Sequence, residues 1–394
     1  MAARRRPAYF RPQYLGVALA LAVLAALLLY KLGGLVGGLS AQEASTATAA
    51  VGWHGIYHDP FNLPLKVIRS VVYALSPSHG QTLTRLPNTI FGALAVAALF
   101  WLIRTWHGWR TAVVTTILFM TAAWTLHVSR LASTDVLYLW SMPMLLLANL
   151  ALHKRPNNPI FFYGSVLLWG CLLYIPGMVW VVILAIYWQW EDMVSGWKHF
   201  AASWQRALAV LSAIVWLPLL GIALLRQGSF RLWLGLPAHV PSLVQLGKQF
   251  VGVFVHLFLR GPLYPDTWLA KAPVLDVFTL VMCLLGIYFY VTHLGAFRTR
   301  LLASFGLLGV ILVALGGSVG LSLLVPLLYV SAAAGMAYLL HEWLSVFPLN
   351  PLARGLGLGL IFMAVGLASI YNLRAYYIAW PHNELTQASF QYHR

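Results

Sequence analysis

The chain has 394 residues, of which 61% are hydrophobic and 9% charged, and its net charge is +16. Soluble proteins carry about 25% charged residues, so the composition excludes a soluble globular enzyme, a disordered protein and a fibrous protein. It predicts an all-α polytopic membrane protein. The basic excess is then explained by Lys and Arg in cytoplasmic loops, and no nucleic-acid partner is expected.

Eleven apolar runs predict about 11 transmembrane helices, because backbone groups in lipid must be hydrogen-bonded internally. The first run, 14–35, has no small-residue cleavage site after a short core, so it is interpreted as a retained signal anchor. Around Tyr174 and Gly177 the pattern fits either one broken helix or two connected helices. The other runs are approximately 86–103, 111–126, 135–152, 159–173, 175–188, 200–225, 273–292, 301–315, 319–340 and 355–373.

Short basic loops predict a cytoplasmic N-terminus and an outside C-terminus. Two longer loops, 36–85 and 226–272, then lie on the outer face. Both contain apolar stretches with interspersed Lys and Arg, which is typical of helices that lie in the membrane interface. No large soluble domain is expected, and 1–394 is interpreted as a single membrane domain. The basic residues assigned to the cytoplasmic side are Arg4, Arg5, Arg6, Arg11, Arg104, Arg110, Lys154, Arg155, Lys198, Arg206, Arg298, Arg300 and Arg354.

Only nine residues are acidic, and three of them are candidate functional residues. Glu43 and Asp59 lie in the first long loop, and Asp135 lies at the outer start of the fourth run. An ionisable group at the end of a span indicates function unless it is paired or solvated. Glu43 and Asp135 could meet in one cleft as a general base and a charge stabiliser, or hold a divalent metal ion. The alternatives are a helix cap for Asp135 and an exposed loop acid for Glu43.

Four cations accompany these acids. Arg130 precedes Asp135 by five residues, Lys66 and Arg69 are three apart on one predicted helical face, and Arg85 opens the second run. Such a group suits an anionic, lipid-linked substrate. The alternative is that the cations snorkel to outer headgroups.

Two histidines in the first loop, His54 and His58, have the i, i+4 spacing of metal ligands on a helix. Gly55 and Pro60 argue against a stable helix there. A metal site at this pair is therefore not favoured, and His58 is considered with the substrate-binding residues instead.

The order of several short motifs resembles that of the GT-C class of membrane glycosyltransferases. After the first loop comes RLPNTIFGALAVAALFWLIRTWHGWRTA, and HVSRLASTD follows. In particular, the pattern is similar to the branch that contains the protein O-mannosyltransferases and the lipid A aminoarabinose transferase. The likeness extends over 14–190, and 191–394 matches only in the layout of its spans.

This resemblance implies an enzyme that moves a hexose- or pentose-type sugar from a polyprenyl-phosphate donor to an acceptor of the cell envelope, which is a lipid, glycan or protein. The family has an Asp-Glu pair where this chain has Gln42 and Glu43, and Gln42 cannot accept a proton. Asp135 matches the second acidic position. The substrate-binding residues would be Arg130, Lys66, Arg69, Arg85, Gln42, His58 and Asp59.

Two other interpretations stay open. A transporter or lipid flippase also places charged residues in membranes, although such sites usually lie at the midplane between repeated halves, and this sequence shows no repeat. A catalytically degenerate family member is compatible with Gln42. The short loops indicate the plasma membrane of a bacterium, and the only cofactor considered is a divalent metal ion held by Glu43 and Asp135.

Overall fold

The computed structural model describes residues 12–48, 52–76, 80–200, 203–262, 269 and 271–391. Within these ranges all the regular elements are helices, apart from an isolated bridge at Leu39, so the prediction of an all-α fold is confirmed. The basic residues Arg4, Arg5, Arg6 and Arg11 lie outside the described residues. The helices are α1 (Pro12–Leu29), α2 (Ala41–Thr48), α3 (Gly52–His58), α4 (Leu63–Leu75), α5 (Gln81–His107), α6 (Trp109–Thr121), α7 (Ala123–Arg130), α8 (Asp135–Lys154), α9 (Pro159–Leu172), α10 (Met178–His199), α11 (Ser203–Ile214), α12 (Leu217–Leu224), α13 (Ser229–Trp233), α14 (Leu243–Phe258), α15 (Val277–Thr292), α16 (Phe297–Ala314), α17 (Val325–Val346), α18 (Pro351–Arg374) and α19 (Glu384–Ser389), with a 3-10 turn at Leu321–Leu323 and a π turn at Ala375–Ala379.

The predicted count of about 11 spans is not confirmed. Every apolar run falls on a helix or on two consecutive helices, but in the described part of the chain six stretches are long and apolar enough to cross a membrane. The bent pair α6 and α7 makes a seventh if it counts as one span. Four further apolar helices have only 10–17 residues. The six stretches are Gln81–His107, Asp135–Lys154, Ser203–Leu224, Phe297–Ala314, Leu321–Val346 and Pro351–Ala379.

The third apolar run, 111–126, is bent instead of straight, and the second of its two helices ends at Arg130. Helices α6 and α7 meet at 62°, because Ala122 has extended backbone angles. The amide that this break releases, that of Ala123, donates to the side-chain oxygen of Asn372 at 3.2 Å. All eight residues of α7 are buried. The predicted run ends at 126, which leaves Arg130 in the connection before the fourth run; in the structure Arg130 is instead the last residue of a buried helix.

Around Tyr174 the structure has two connected helices. Gly177 adopts a positive φ of 75° just before α10, a conformation that glycine tolerates best. Its amide donates to the carbonyl of Trp233 at 2.8 Å, so the connection is fixed against the second long loop.

The first long loop contains three helices, α2, α3 and α4. Helix α5 then begins at Gln81, five residues before the predicted start, so Arg85 lies inside a helix instead of opening it. The second long loop contains α13 and α14, and a capping box between Ser242 and Gln245 starts α14. The placement of these loop helices in the membrane interface stays a prediction.

Helices α5 and α8 lie side by side and run in the same direction. At their starts, the side chain of Asn88 donates to the carbonyl of Ser133 at 2.6 Å, and at their ends His107 and His153 line one cavity. One continuous cluster of buried apolar side chains extends from Leu28 to Phe390. The two ends of this bundle therefore present two separate sets of polar residues.

Helices α15 and α17 approach each other most closely at two glycines. A Cβ atom at Gly286 would lie 1.7 Å from the carbonyl oxygen of Ser331, and one at Gly335 would lie 1.9 Å from that of Met282. Small residues let helix backbones come this close in membranes, where van der Waals packing drives association.

The first prediction concerns this crossing. Gly335→Ala should lower the free energy of unfolding by about 1–3 kcal/mol, because the added methyl group meets backbone that has to move apart. Thermal unfolding of the purified protein in detergent measures the effect. The control is Gly359→Ala in α18, where nothing lies within 4 Å of the added Cβ and the change should stabilise the helix by up to about 1 kcal/mol. Equal effects of the two substitutions would contradict the close packing.

Candidate functional site

Glu43 and Arg85 form a buried ion pair at the start of α5. Arg85 Nε and Nη2 donate to Glu43 Oε1 and Oε2, each at 2.8 Å, and the two side chains are 3% and 2% exposed. The carboxylate also accepts from the amides of Ser40 at 3.1 Å and Ala132 at 2.8 Å. Four donors therefore surround Glu43, about as many as an ionised carboxylate can accept.

The remaining donors of Arg85 bind backbone. Its Nη1 donates to the carbonyl of Leu32 at 3.0 Å, and its Nη2 donates to that of Gly38 at 2.7 Å. Together with Glu43, Arg85 connects the end of α1, helix α2, helix α5 and the turn before α8. The first long loop is thereby fixed against the residues that lead to Asp135.

The hydrogen bonds to the Glu43 carboxylate bear on its predicted role as a general base. A general base needs a lone pair that is free to take a proton, and those of Glu43 are engaged by Arg85 and two amides. The catalytic assignment of Glu43 stays a prediction, but its surroundings favour a positioning role. The neighbouring Gln42 is exposed on α2, where its carbonyl accepts from Ser45 and Thr46.

Asp135 has different surroundings. It is the first residue of α8 and half-buried, and no described residue donates a hydrogen bond to its carboxylate. The residue at the N-cap is Thr134, and no side chain caps the helix, so the structure does not support a capping role for Asp135. A Cβ atom at Gly320 would lie 2.8 Å from Asp135 Oδ1. Glycine at this position therefore keeps space beside a carboxylate that can accept a proton.

One helical turn further, Tyr138 ties α8 to two connections. Its hydroxyl donates to the carbonyl of Pro176 at 2.9 Å and to that of Ser318 at 3.1 Å. The connection before α10 and the one that contains Gly320 are thus both held close to Asp135.

Arg130 is buried in a mainly aromatic environment. Its Nη2 donates to the carbonyl of Tyr30, and its guanidinium lies 5.3 Å and 4.9 Å from the ring centres of Tyr376 and Tyr377. Its Nε and Nη1 are buried and have no hydrogen-bond partner among the described residues. A buried guanidinium with open donors is suited to bind an anion such as phosphate.

These open donors border a closed gap that is too narrow to hold a water molecule. Arg85 and Arg130 both line it, together with Leu32, Leu35, Val36, Leu131, Tyr376 and Trp380. Two of the four predicted cations are therefore brought together beside an apolar wall.

The other two cations bind groups of the first loop itself. Lys66 Nζ donates to Asp59 Oδ2 and to the Asp59 carbonyl, each at 2.5 Å. Burial lowers the pKa of the Lys66 ammonium, and the Asp59 carboxylate opposes part of this shift. Arg69 donates to the carbonyl of Thr46 at 2.6 Å, which connects α4 to α2. Their predicted role in substrate binding stays a prediction.

His54 and His58 do lie on a helix, α3, against the expectation from Gly55 and Pro60. Their ring centres are 4.3 Å apart, and His58 Nδ1 lies 3.4 Å from Arg226 Nη2, where the two long loops meet. Among the described residues, no group of three or more His, Cys, Asp or Glu side chains could hold a metal ion.

Glu43 and Asp135 do not fit as a pair of ligands for one metal ion either. Arg85 already neutralises Glu43 and occupies its oxygens, so the residues present do not favour a divalent ion shared between Glu43 and Asp135.

Sequence reasoning missed the aromatic residues behind Arg130. Tyr376, Tyr377 and Trp380 follow the last predicted apolar run, 355–373, and the sequence analysis assigned them no role. In the structure Trp380 is fully buried, and it stacks on Tyr376 at 5.1 Å between ring centres. The available signal was their spacing of i, i+1 and i+4 directly after the last apolar run.

The second prediction concerns the buried ion pair. Glu43→Gln should lower the free energy of unfolding by about 3–5 kcal/mol, because it leaves the Arg85 charge buried and unpaired. The double variant Glu43→Gln, Arg85→Gln should lose less than the sum of the two single variants. Thermal unfolding measures all three variants.

The matched control for this pair is Asp59→Asn. The Asp59 side chain is 56% exposed, and its carbonyl still accepts from Lys66 in the variant, so losing this ion pair should lower the free energy of unfolding by less than Glu43→Gln does. Strict additivity of the Glu43 and Arg85 substitutions would contradict the coupling between them.

Comparisons with known proteins show similarity in structure only. No family model and no curated sequence matches the chain. The structure is similar to that of ArnT from Cupriavidus metallidurans in the apo state, with a TM-score of 0.52 and 12% identity, over 97% of this chain and 78% of ArnT. For ArnT bound to undecaprenyl phosphate, the TM-score is 0.53 at 12% identity, over 95% of this chain and 76% of ArnT.

A third similar structure is the archaeal oligosaccharyltransferase AglB from Archaeoglobus fulgidus, in complex with an inhibitory peptide and a dolichol-phosphate. The TM-score is 0.54 at 13% identity, over 98% of this chain. The chain spans 56% of the length of AglB. ArnT and AglB are both GT-C class glycosyltransferases, so the resemblance seen in the sequence is confirmed at the level of the fold: this chain is similar in fold to these two enzymes.

Proposed function

We propose that this protein is a membrane glycosyltransferase that moves a sugar from a polyprenyl-phosphate carrier to an acceptor of the cell envelope. The observation that carries the proposal is the open guanidinium of Arg130, buried five residues before the unpaired carboxylate of Asp135. The fold supports it, because similar folds occur in ArnT bound to undecaprenyl phosphate and in AglB in complex with dolichol-phosphate.

In this proposal, Arg130 binds the phosphate of the donor through Nε and Nη1. Arg85 lines the same gap, but Glu43 balances its charge, so Arg130 supplies the positive charge beside the phosphate. The leucine and aromatic side chains that line the gap have to move apart to admit the phosphate and the first part of the isoprenoid chain. Positive charge fixed beside the leaving phosphate lowers the barrier, since negative charge builds up there as the sugar departs.

Asp135 acts as the general base. The acceptor hydroxyl attacks the anomeric carbon, and the bond from that carbon to the phosphate oxygen breaks. The hydroxyl proton moves to Asp135, and the carrier phosphate leaves on Arg130. Glu43 is the positioning residue, because its bond to the amide of Ala132 fixes the turn that carries Asp135.

Of the other interpretations, a transporter or flippase is not favoured, since Asp135 and Arg130 lie at helix ends. A catalytically inactive family member has one feature in its favour, namely the neutral Gln42 beside a fully engaged Glu43. The proposal extends to the substrates: the sugar is of the hexose or pentose type, and the acceptor is a lipid, glycan or protein of the cell envelope.

We also propose that the protein resides in a bacterial plasma membrane with its N-terminus in the cytoplasm. Three of the predicted cytoplasmic segments support this orientation. The ends of α5 and α8 and the start of α16 line one cavity, as they should if they lie on one side of the membrane.

The third prediction tests the base. Asp135→Asn should reduce kcat by about 10²–10⁴-fold, the usual contribution of a general base, without weakening the binding of undecaprenyl phosphate. Sugar transfer in reconstituted vesicles and lipid binding to the purified protein measure the two effects. Asp192→Asn, which removes an acid from the opposite end of the bundle, should leave both unchanged. Full activity of Asp135→Asn would rule out the assignment.

The fourth prediction tests the phosphate site. Arg130→Lys keeps the charge but loses the planar fork and the stacking on two tyrosines, so the KM for the donor should rise about tenfold while kcat changes little. The control is Arg104→Lys, since Arg104 lies between two tryptophan rings at 5.0 Å and 5.4 Å near the other end of α5. An unchanged KM in Arg130→Lys would contradict donor binding at this site.

A further inference from the structure

A second cavity, of about 470 Å³, lies at the far ends of α5 and α8. From Arg85 to His107 helix α5 rises by about 33 Å at 1.5 Å per residue, which matches the thickness of the hydrocarbon core. The cavity therefore opens at the opposite membrane face from Arg130 and Asp135, and the proposed transfer reaction does not use it.

The rim of this cavity is basic. Lys154 and Arg298 line it with three histidines, His107, His153 and His293, and no acidic residue of the described chain is in the lining. One acid is close by: Asp192 accepts a hydrogen bond from His153 Nδ1 at 2.9 Å. Lys154 and Arg298 are exposed, and their charges are not matched by any acid within the cavity.

The walls of the cavity are apolar and aromatic. Leu150 of α8 and Phe289 of α15 face it together with Phe297 and Leu301 of α16. Arg298 Nη1 donates to the carbonyl of Trp106 at 3.0 Å, which holds the guanidinium at the edge. His153 is stacked on Phe297, with 5.0 Å between the ring centres. A basic rim above an apolar wall is suited to a ligand that has an anionic head and a hydrocarbon chain.

We propose that this cavity binds an anionic membrane lipid. Its phosphate lies between Lys154 and Arg298, and the first part of its acyl chain lies against the wall formed by Leu150, Phe289 and Leu301. Basic pockets between membrane helices are known to take anionic headgroups in this way. Because the lipid contacts α8, α15 and α16 together, its binding stabilises the end of the bundle opposite the transfer site.

The test uses the full-length protein, purified in a neutral detergent. Phosphatidylglycerol is titrated against phosphatidylcholine and against inorganic phosphate, and bound lipid is counted by native mass spectrometry while Tm is recorded. We expect phosphatidylglycerol to bind and raise Tm. Lys154→Gln combined with Arg298→Gln should weaken this binding about 30-fold, since each basic residue contributes about a factor of five.

The control variant is Lys198→Gln combined with Arg354→Gln. It loses the same two charges from exposed positions outside the cavity lining and should bind phosphatidylglycerol like the wild type. A second cavity variant, Ala296→Trp, fills space in the lining without changing any charge and should also lose lipid binding.

Several results would overturn the proposal. These are unchanged phosphatidylglycerol binding in both cavity variants, an equal loss in the control variant, equally tight binding of phosphatidylcholine, or a Tm increase with inorganic phosphate as large as that with lipid. The last result would show a site for free phosphate instead. None of these outcomes affects the transfer assay, which depends on the opposite membrane face.

Discussion

The end of the bundle that carries the candidate site depends on the buried ion pair between Glu43 and Arg85. Two charges removed from water are tolerated only when hydrogen bonds compensate their desolvation. Here the carboxylate accepts from the guanidinium and two amides, and the guanidinium also binds two carbonyls. Because its partners come from four segments, the pair makes the first loop a fixed wall of the candidate site.

The all-helical membrane fold could be predicted from composition and apolar runs, since lipid leaves a chain few other ways to satisfy its backbone. The number and straightness of the spans could not. The bend before α7 depends on Asn372, which lies 249 residues from the amide of Ala123 that it accepts from. Such a contact has no local signal, and the apolar character of the third run continues through the break.

The site was predicted in part. The scarcity of acidic residues singled out Glu43 and Asp135, and the nearby cations Arg85 and Arg130 were predicted to accompany them, but the sequence could not show that Glu43 and Arg85 pair. This pairing distinguishes the two acids, because Glu43 is bound by Arg85 whereas Asp135 has no hydrogen-bond partner in the described structure. Trp380 and its neighbours were missed for another reason: aromatic residues at the end of a span are typical of the membrane interface.

Helix α7 is held at one end by α18 and at the other by the π turn that follows α18. Asn372 caps its first amide, and Tyr376 and Tyr377 stack against its last residue, Arg130. Asn372 in turn donates to Asp276, at the start of α15, at 3.0 Å. Helix α7 is therefore attached to the last membrane helix and should move together with it. A displacement of this segment would move the guanidinium and change its separation from Asp135, so the distance between the proposed phosphate-binding residue and the proposed base depends in part on a helix that contributes neither of them.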